Sequence, residues 1–155
     1  MTEISFPCDQ ETVKELLPHR DPFLWVTRIV ECVPGESIVA ELDVDPNLDI
    51  FKGHFPTYPV FPGVLIMEAL AQAACCCLLA DPAREKSLGY LTGIDKAKFR
   101  EQVKPGDTIR LEAKILKANK KFCKTEVRAT KDGKVVAEAN QSYIMAPAES
   151  AESAE

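Results

Sequence analysis

Residues 64–80, VLIMEALAQAACCCLLA, restrict what this chain can fold into more than any other stretch. Nearly every side chain there is apolar or cysteine, and the exceptions, Glu68 and Gln72, are four residues apart and so share one face of a helix. A helix that is apolar all round is a buried one. Pro62 and Gly63 sit where such a helix begins, because proline suits a first turn whose N–H groups have no intrahelical partner. The helix is therefore expected to start at about Pro62. A membrane span needs about 20 unbroken apolar residues. This run is shorter and carries a carboxylate within its first turn and a half, which makes it a core helix.

Burying an unpaired carboxylate costs roughly several kcal/mol, so Glu68 calls for a partner, a proton or a use. Just upstream, His54 stands between Gly53 and Phe55 in a segment with prolines at 56, 59 and 62, too proline-rich for regular structure and stiff enough to hold one imidazole in place. The only other histidine is His19. Taken singly, each polar residue has an ordinary explanation: Glu68 as a carboxylate bonded to backbone donors, His54 as a satisfied loop histidine, Gln72 as a helix glutamine bridging to a loop. Together, a histidine and a carboxylate in one apolar pocket supply what proton abstraction and proton donation need at neutral pH.

The string GHFPTYPVFPGVLIMEALAQ at 53–72 closely resembles the signature of the 3-hydroxyacyl-acyl-carrier-protein dehydratases of fatty acid synthesis, which have the hot-dog fold. LPHRDPFLWVTR at 17–28 resembles the same family's N-terminal motif, and GIDKAKFREQVKPGD at 93–107 its central one. Three ordered motifs across most of residues 10–146 form a specific signal. Glutamate at 68 matches the branch that only dehydrates; the branch that also isomerises the double bond usually has aspartate there.

The resemblance implies a lyase without metal or redox cofactor, acting on a 3-hydroxyacyl thioester borne by the phosphopantetheine arm of acyl carrier protein. His54 would take the proton next to the thioester carbonyl, and Glu68 would deliver the proton that lets the hydroxyl leave as water. The backbone N–H of Gly63 would bond to the thioester oxygen at the positive end of the helix dipole. Val60 would orient His54 through its carbonyl, and Gln72 would support Glu68. The chain departs from the family pattern at Asp21, where an aromatic residue is usual, at Thr27, where aspartate is usual, and at Asn47-Leu48-Asp49-Ile50. None of these touches the His54/Glu68 pair, but they bear on the substrate tunnel and its mouth.

A length of 155 residues, 46% of them hydrophobic, suits one compact domain, taken as residues 1–147. The closing residues 148–155 are small and acidic and read as a disordered tail. Outside that tail the chain carries 19 basic against 21 acidic groups, so nucleic acid is not an expected partner. No basic N-terminus leads into an apolar stretch and a cleavage site, which points to the cytoplasm. The six cysteines lack disulfide or zinc spacing and are expected reduced and buried.

Residues 9–17 predict a short helix capped by Asp9 and stopped by Pro18. The run Phe23–Val33 predicts a strand covered on both faces, followed by a Pro34-Gly35 turn. Alternation from Ile38 to Val44 predicts a strand with one wet face. Leu88–Ile94 predicts a short strand, Ile109–Ile115 another, and Asp132-Gly133 a hairpin between Phe122–Thr130 and Val135–Met145. Pattern alone thus gives an α+β fold with about five or six antiparallel strands and one buried helix; the resemblance makes it a hot dog, a sheet wrapped round that helix.

Two other functions compete. A hot-dog thioesterase would use Glu68 to activate water, but such enzymes usually lack the Gly-His-Phe-Pro histidine. A non-catalytic acyl-binding protein would be favoured if His54 or Glu68 were missing, and neither is. A helix apolar on every side asks for more cover than one small sheet gives, and a second copy is the expected cover. In the family the sheets join edge to edge, the histidine of one subunit faces the glutamate of the other, and larger assemblies such as a trimer of dimers occur.

Overall fold

The computed structural model describes residues 4–147; the expected tail lies outside the described residues. Helix α1 spans Gln10–Leu16 and is capped by Asp9, whose side chain accepts the Thr12 N–H. Strands β1 (Arg28–Val33) and β2 (Ser37–Asp43) precede a 3-10 turn at Asp49–Lys52 and the long helix α2 (Gly63–Leu79). Strands β3 (Ser87–Phe99), β4 (Thr108–Ala118), β5 (Phe122–Lys131) and β6 (Lys134–Pro147) follow. All six form one antiparallel sheet in the order β1-β2-β4-β5-β6-β3, with α2 packed against it. That is the hot-dog arrangement. Because α2 links β2 near one edge to β3 at the other, the chain must cross the sheet, and the helix is what crosses it.

Helix α2 is buried from Ala69 to Leu79 without interruption, with Ile66 and Met67 before it. Alanines at 69, 71, 73 and 74 let the sheet approach closely, while Leu70 and Leu78, at most 1% exposed, fill the space between. Each such leucine stabilises the fold by about 1.5–3 kcal/mol through burial. The facing residues are the alternating positions expected on β4, Ile109, Leu111 and Ala113, and on β5, Cys123, Thr125, Val127 and Ala129. No helix among the described residues is long and apolar enough to cross a membrane.

The β5–β6 hairpin forms as its Asp-Gly turn predicts. Asp132 and Gly133 both have positive φ, +50° and +80°, the mirror-image turn whose twist matches that of the strands. Near its base lies a buried polar cluster: the Tyr143 hydroxyl donates to Gln141 Oε1 and lies 3.0 Å from Thr125 Oγ1. Gln141 Nε2 donates to the Met67 carbonyl at 3.0 Å, fastening the turn of α2 that carries Glu68 to the sheet.

Several expectations need correction. The strand expected over Phe23–Val33 begins only at Arg28, because Phe23 and Trp25 are held in an extended loop by Gln72 on α2. It is also an edge strand, with Val33 half exposed, so its apolar residues on both parities do not mean two covered faces. Strand β3 runs on to Phe99, twice bulged against β6, so its polar second half pairs despite carrying no apolar alternation. Helix α2 starts at Gly63 with Pro62 as its N-cap, as expected, but it is not covered on every side: Val64 is 75% exposed. All six cysteines are free, but Cys8 and Cys32 are only half buried.

Candidate active site

The 3-10 turn leads directly into His54. The Ile50 carbonyl accepts the N–H of Gly53 at 3.2 Å and that of His54 at 2.9 Å, so the departure at Asn47–Ile50 does reach the histidine, through its backbone. Val60 then grips His54 twice: its N–H donates to the His54 carbonyl at 3.0 Å, and its carbonyl lies 2.8 Å from His54 Nδ1. A carbonyl can only accept, so Nδ1 carries a proton and Nε2 is the ring nitrogen that Val60 leaves free. The imidazole stacks on Phe55 at 4.1 Å. Further along the same segment, the Tyr58 hydroxyl donates to Gln102 at 2.9 Å and the Phe61 N–H to the Val103 carbonyl at 2.7 Å, tying this proline-rich loop to the turn before β4.

Phe61 and Pro62 deliver the chain into α2. The first intrahelical bonds close on the Pro62 carbonyl from Leu65 and Ile66, at 3.0 and 3.2 Å, so the Gly63 N–H lies ahead of the helical ladder. A Cβ at Gly63 would sit 2.8 Å from the exposed Phe99 ring, closer than real Cβ contacts come, so a larger residue there would push that ring aside.

One turn and a half along α2, Glu68 is half buried, and its Oε2 accepts from Gln72 Nε2 at 2.9 Å. Gln72 is 1% exposed and fully used: Oε1 accepts the Trp25 N–H at 2.8 Å and Nε2 also donates to the Phe23 carbonyl at 2.9 Å. Those partners fix which end of the amide is oxygen. Trp25 packs edge-on against Phe23 and Phe61, closing an apolar wall around the glutamine.

The structure thus brings His54 to Val60 and Glu68 to Gln72, but among the described residues no ion-pair contact joins His54 to Glu68. The histidine beside the carboxylate is His19, with Nε2 3.8 Å from Glu68 Oε2. Burial lowers the His19 pKa, Glu68 opposes this and Arg20 reinforces it. Sequence reasoning passed over His19 as a site residue; its place inside the LPHR motif was the available signal. Thr27, the other departure near this loop, serves the sheet. Its hydroxyl accepts the Asp43 N–H at 2.9 Å, and the neighbouring Arg28 bridges Glu41 and Asp43, locking β1 to β2. Two surface cavities, of about 600 and 370 Å³, lie on the outer sheet face and beyond the end of α2; neither is lined by His54, Gly63 or Glu68.

The six-stranded sheet packed on α2 is a hot-dog fold, and His54, held by Val60, and Glu68, held by Gln72, are its candidate site groups. Residues 17–140 match the model of the FabA-like domain, and the chain belongs to that family. Within it, the chain is 46% identical over 136 residues to the 3-hydroxyacyl-[acyl-carrier-protein] dehydratase FabZ of Ruminiclostridium cellulolyticum, covering 88% of this chain and 96% of that protein. It is 44% identical over 137 residues to the FabZ of Oceanobacillus iheyensis, covering 88% and 98%. Among solved structures, a chain of the dehydratase heterocomplex ApeI:P from Xenorhabdus doucetiae shares the fold with a TM-score of 0.78 at 18% identity, covering 97% of each chain.

Proposed function

We propose that this protein converts 3-hydroxyacyl thioesters on acyl carrier protein to trans-2-enoyl thioesters with loss of water, in fatty acid synthesis or a related polyketide or polyene pathway. The observation that carries the reaction class is the 46% identity to a FabZ dehydratase over nearly that protein's whole length. In our reading His54 Nε2 removes the proton from the carbon beside the thioester carbonyl. The electron pair of that C–H bond becomes the new double bond, the bond to the hydroxyl oxygen breaks, and Glu68 donates the proton with which the oxygen leaves as water. The Gly63 N–H accommodates the charge that builds on the thioester oxygen. Val60 keeps His54 in the basic tautomer, and Gln72 keeps Glu68 in place.

The shared-site reading of a homodimer fits the free edge of β3. Tyr90, Leu91, Ile94 and Phe99 are all exposed on that edge strand, and Val64 is exposed at the helix start, next to the glycine that the Phe99 ring abuts. A long apolar edge of this kind invites pairing with a second copy. Such pairing would bring one subunit's His54 to the other's Glu68; a trimer of dimers is the larger assembly we favour. Residues 1–147 act as one catalytic domain, and six free thiols suit the reducing cytoplasm.

The deciding experiment incubates the protein with a 3-hydroxyacyl thioester and follows enoyl absorbance and thiol release together. Enoyl product without thiol is expected. Thiol release without enoyl product would make the protein a thioesterase, and neither signal would make it a binding protein.

A further inference from the structure

Resting on the reading of Glu68 as the proton donor, we infer that His19 is a positioning residue, a neutral imidazole whose Nε2–H is aimed at Glu68 Oε2 and stabilises the carboxylate left when Glu68 gives up its proton. Three observations carry this. The backbone at His19 is clamped: the Arg20 guanidinium donates to the carbonyls of Leu17 at 2.8 Å, His19 at 2.6 Å and Lys14 at 3.2 Å, closing off the end of α1, and Pro18 stiffens the approach. The imidazole is therefore delivered to a fixed place.

Secondly, the ring is oriented by exclusion. Its Nδ1 is enclosed with no hydrogen-bond partner among the described residues, whereas Nε2 faces a carboxyl oxygen at 3.8 Å. A proton on Nδ1 would be a buried donor with nothing to meet; a proton on Nε2 has a carboxyl oxygen 3.8 Å from its nitrogen. The ring is thus in the opposite tautomer to His54, whose Nδ1 is the protonated nitrogen.

Thirdly, the two groups on Glu68 converge on one oxygen. Gln72 and His19 both address Oε2, which leaves Oε1 as the oxygen to bear and deliver the proton. A fully charged imidazolium here would hold Glu68 ionised and unable to act as an acid. Burial keeps His19 neutral against the pull of Glu68, with Arg20 acting in the same sense as burial. A neutral N–H dipole helps the carboxylate once it forms without stripping the proton beforehand. The other titratable groups that sense the Glu68 charge are Cys75 on α2 and Tyr143 on β6, and burial holds both in their neutral forms. Within one chain, His19 is accordingly the ionisable side chain from outside α2 that comes within 4 Å of the Glu68 carboxyl.

The test compares full-length wild type with His19→Gln, which restores an N–H near the Nε2 position, and His19→Leu, which does not. His19→Leu is expected to lower kcat about 10-fold with KM unchanged, and to move the alkaline limb of the pH profile upward by about 0.5 pH or more, because Glu68 becomes a weaker acid. His19→Gln should stay within about threefold of wild type. A folded His19→Leu protein with wild-type kcat and an unmoved limb overturns the inference. Should that variant fail to fold, histidine nitrogen NMR on the wild-type protein at neutral pH decides: Nε2 protonated and Nδ1 bare supports the inference, and the reverse tautomer or an imidazolium overturns it. Full activity in a folded Glu68→Gln protein would instead defeat the underlying assignment of Glu68, so the two failures are separable.

Discussion

Replacing Gln72 by leucine removes the one side chain that joins the acid, the helix and the Phe23–Trp25 loop, at nearly constant volume. Three hydrogen bonds go with it: Trp25 N–H to Oε1 at 2.8 Å, and Nε2 to the Phe23 carbonyl and to Glu68 Oε2, both at 2.9 Å. The consequences differ by site. The backbone N–H of Trp25 is buried and loses its acceptor, which costs about 1–3 kcal/mol. Phe23 is nearly half exposed, so water can take over its carbonyl at little cost. With the loss of the bond to a charged group added, the total is about 2–4 kcal/mol. In a chain of this size each kcal/mol lowers Tm by roughly 2–4 °C, so a fall of about 5–15 °C is expected.

Activity should fall for a separate reason. Glu68 loses the donor on Oε2 and the constraint on its rotamer, and kcat should drop about 10- to 100-fold, or ~1.4–2.7 kcal/mol in activation free energy. Urea unfolding gives the first quantity and enoyl absorbance with a 3-hydroxyacyl thioester the second, both on the same preparation. A Gln72→Leu protein within about 0.5 kcal/mol of wild type would show that the Trp25 N–H finds another partner. Wild-type kcat in the same protein would show that the bond to Glu68 does not matter to the reaction.

His54→Ala and Glu68→Gln should each reduce dehydration by about 100- to 10,000-fold with the fold intact, read by circular dichroism beside the rate. Refolding these two inactive proteins together should return about a quarter of wild-type activity per total subunit, since half the dimers would carry one good site of two under random pairing; demonstrable heterodimers with no activity would place each site within one chain. Converting Leu91 and Ile94 to lysine should weaken self-association by about 100-fold or more, because the exposed part of four apolar side chains per dimer loses its cover, and analytical ultracentrifugation at micromolar concentration would detect the monomer. His19 has its pKa lowered by burial, so the unfolded chain takes up a proton that the folded chain resists. Wild type should therefore lose stability relative to His19→Gln as pH falls from about 7 to about 5, through the ordinary histidine range, and a constant gap in urea midpoints would reject that account. A chain ended after Pro147 should fold and turn over like the full one, with an unchanged Tm.

The parts of this fold that were legible in the sequence are those governed by local rules. Asp9 caps α1, Asp132-Gly133 turns the last hairpin, and the apolar run at 64–80 becomes the central helix, each because the residue types leave few alternatives. Misreadings occurred where tertiary contacts override pattern. Phe23 to Thr27 has strand composition, yet two hydrogen bonds from Gln72, nearly fifty residues away, hold it as a loop. The second half of β3 has no apolar alternation because both of its faces are exposed there, while its backbone still pairs with β6. The same holds for the site: His54 and Glu68 could be picked out by chemistry, but the approach of His19 to Glu68 depends on how Arg20 ends α1 against α2, and no spacing in the sequence encodes that.

The place where this chain is least finished coincides with the place where its chemistry is proposed. From Ala69 onward α2 is buried, yet at its N-terminal turn Val64 is three-quarters exposed, and the edge strand β3 presents Phe99 against Gly63. A folded monomer gains nothing from leaving a helix start, an apolar strand edge and the Gly63 N–H open together, since each is costly to expose or unsatisfied on its own. One event, edge pairing with a second copy, would cover Val64, extend the sheet through β3 and set the partner's His54 opposite Glu68. Assembly and catalysis would then be linked through the same few residues. A substitution at the β3 edge that leaves His54, Gly63 and Glu68 untouched should consequently remove activity in step with the dimer, whereas a fully active monomer would break that link.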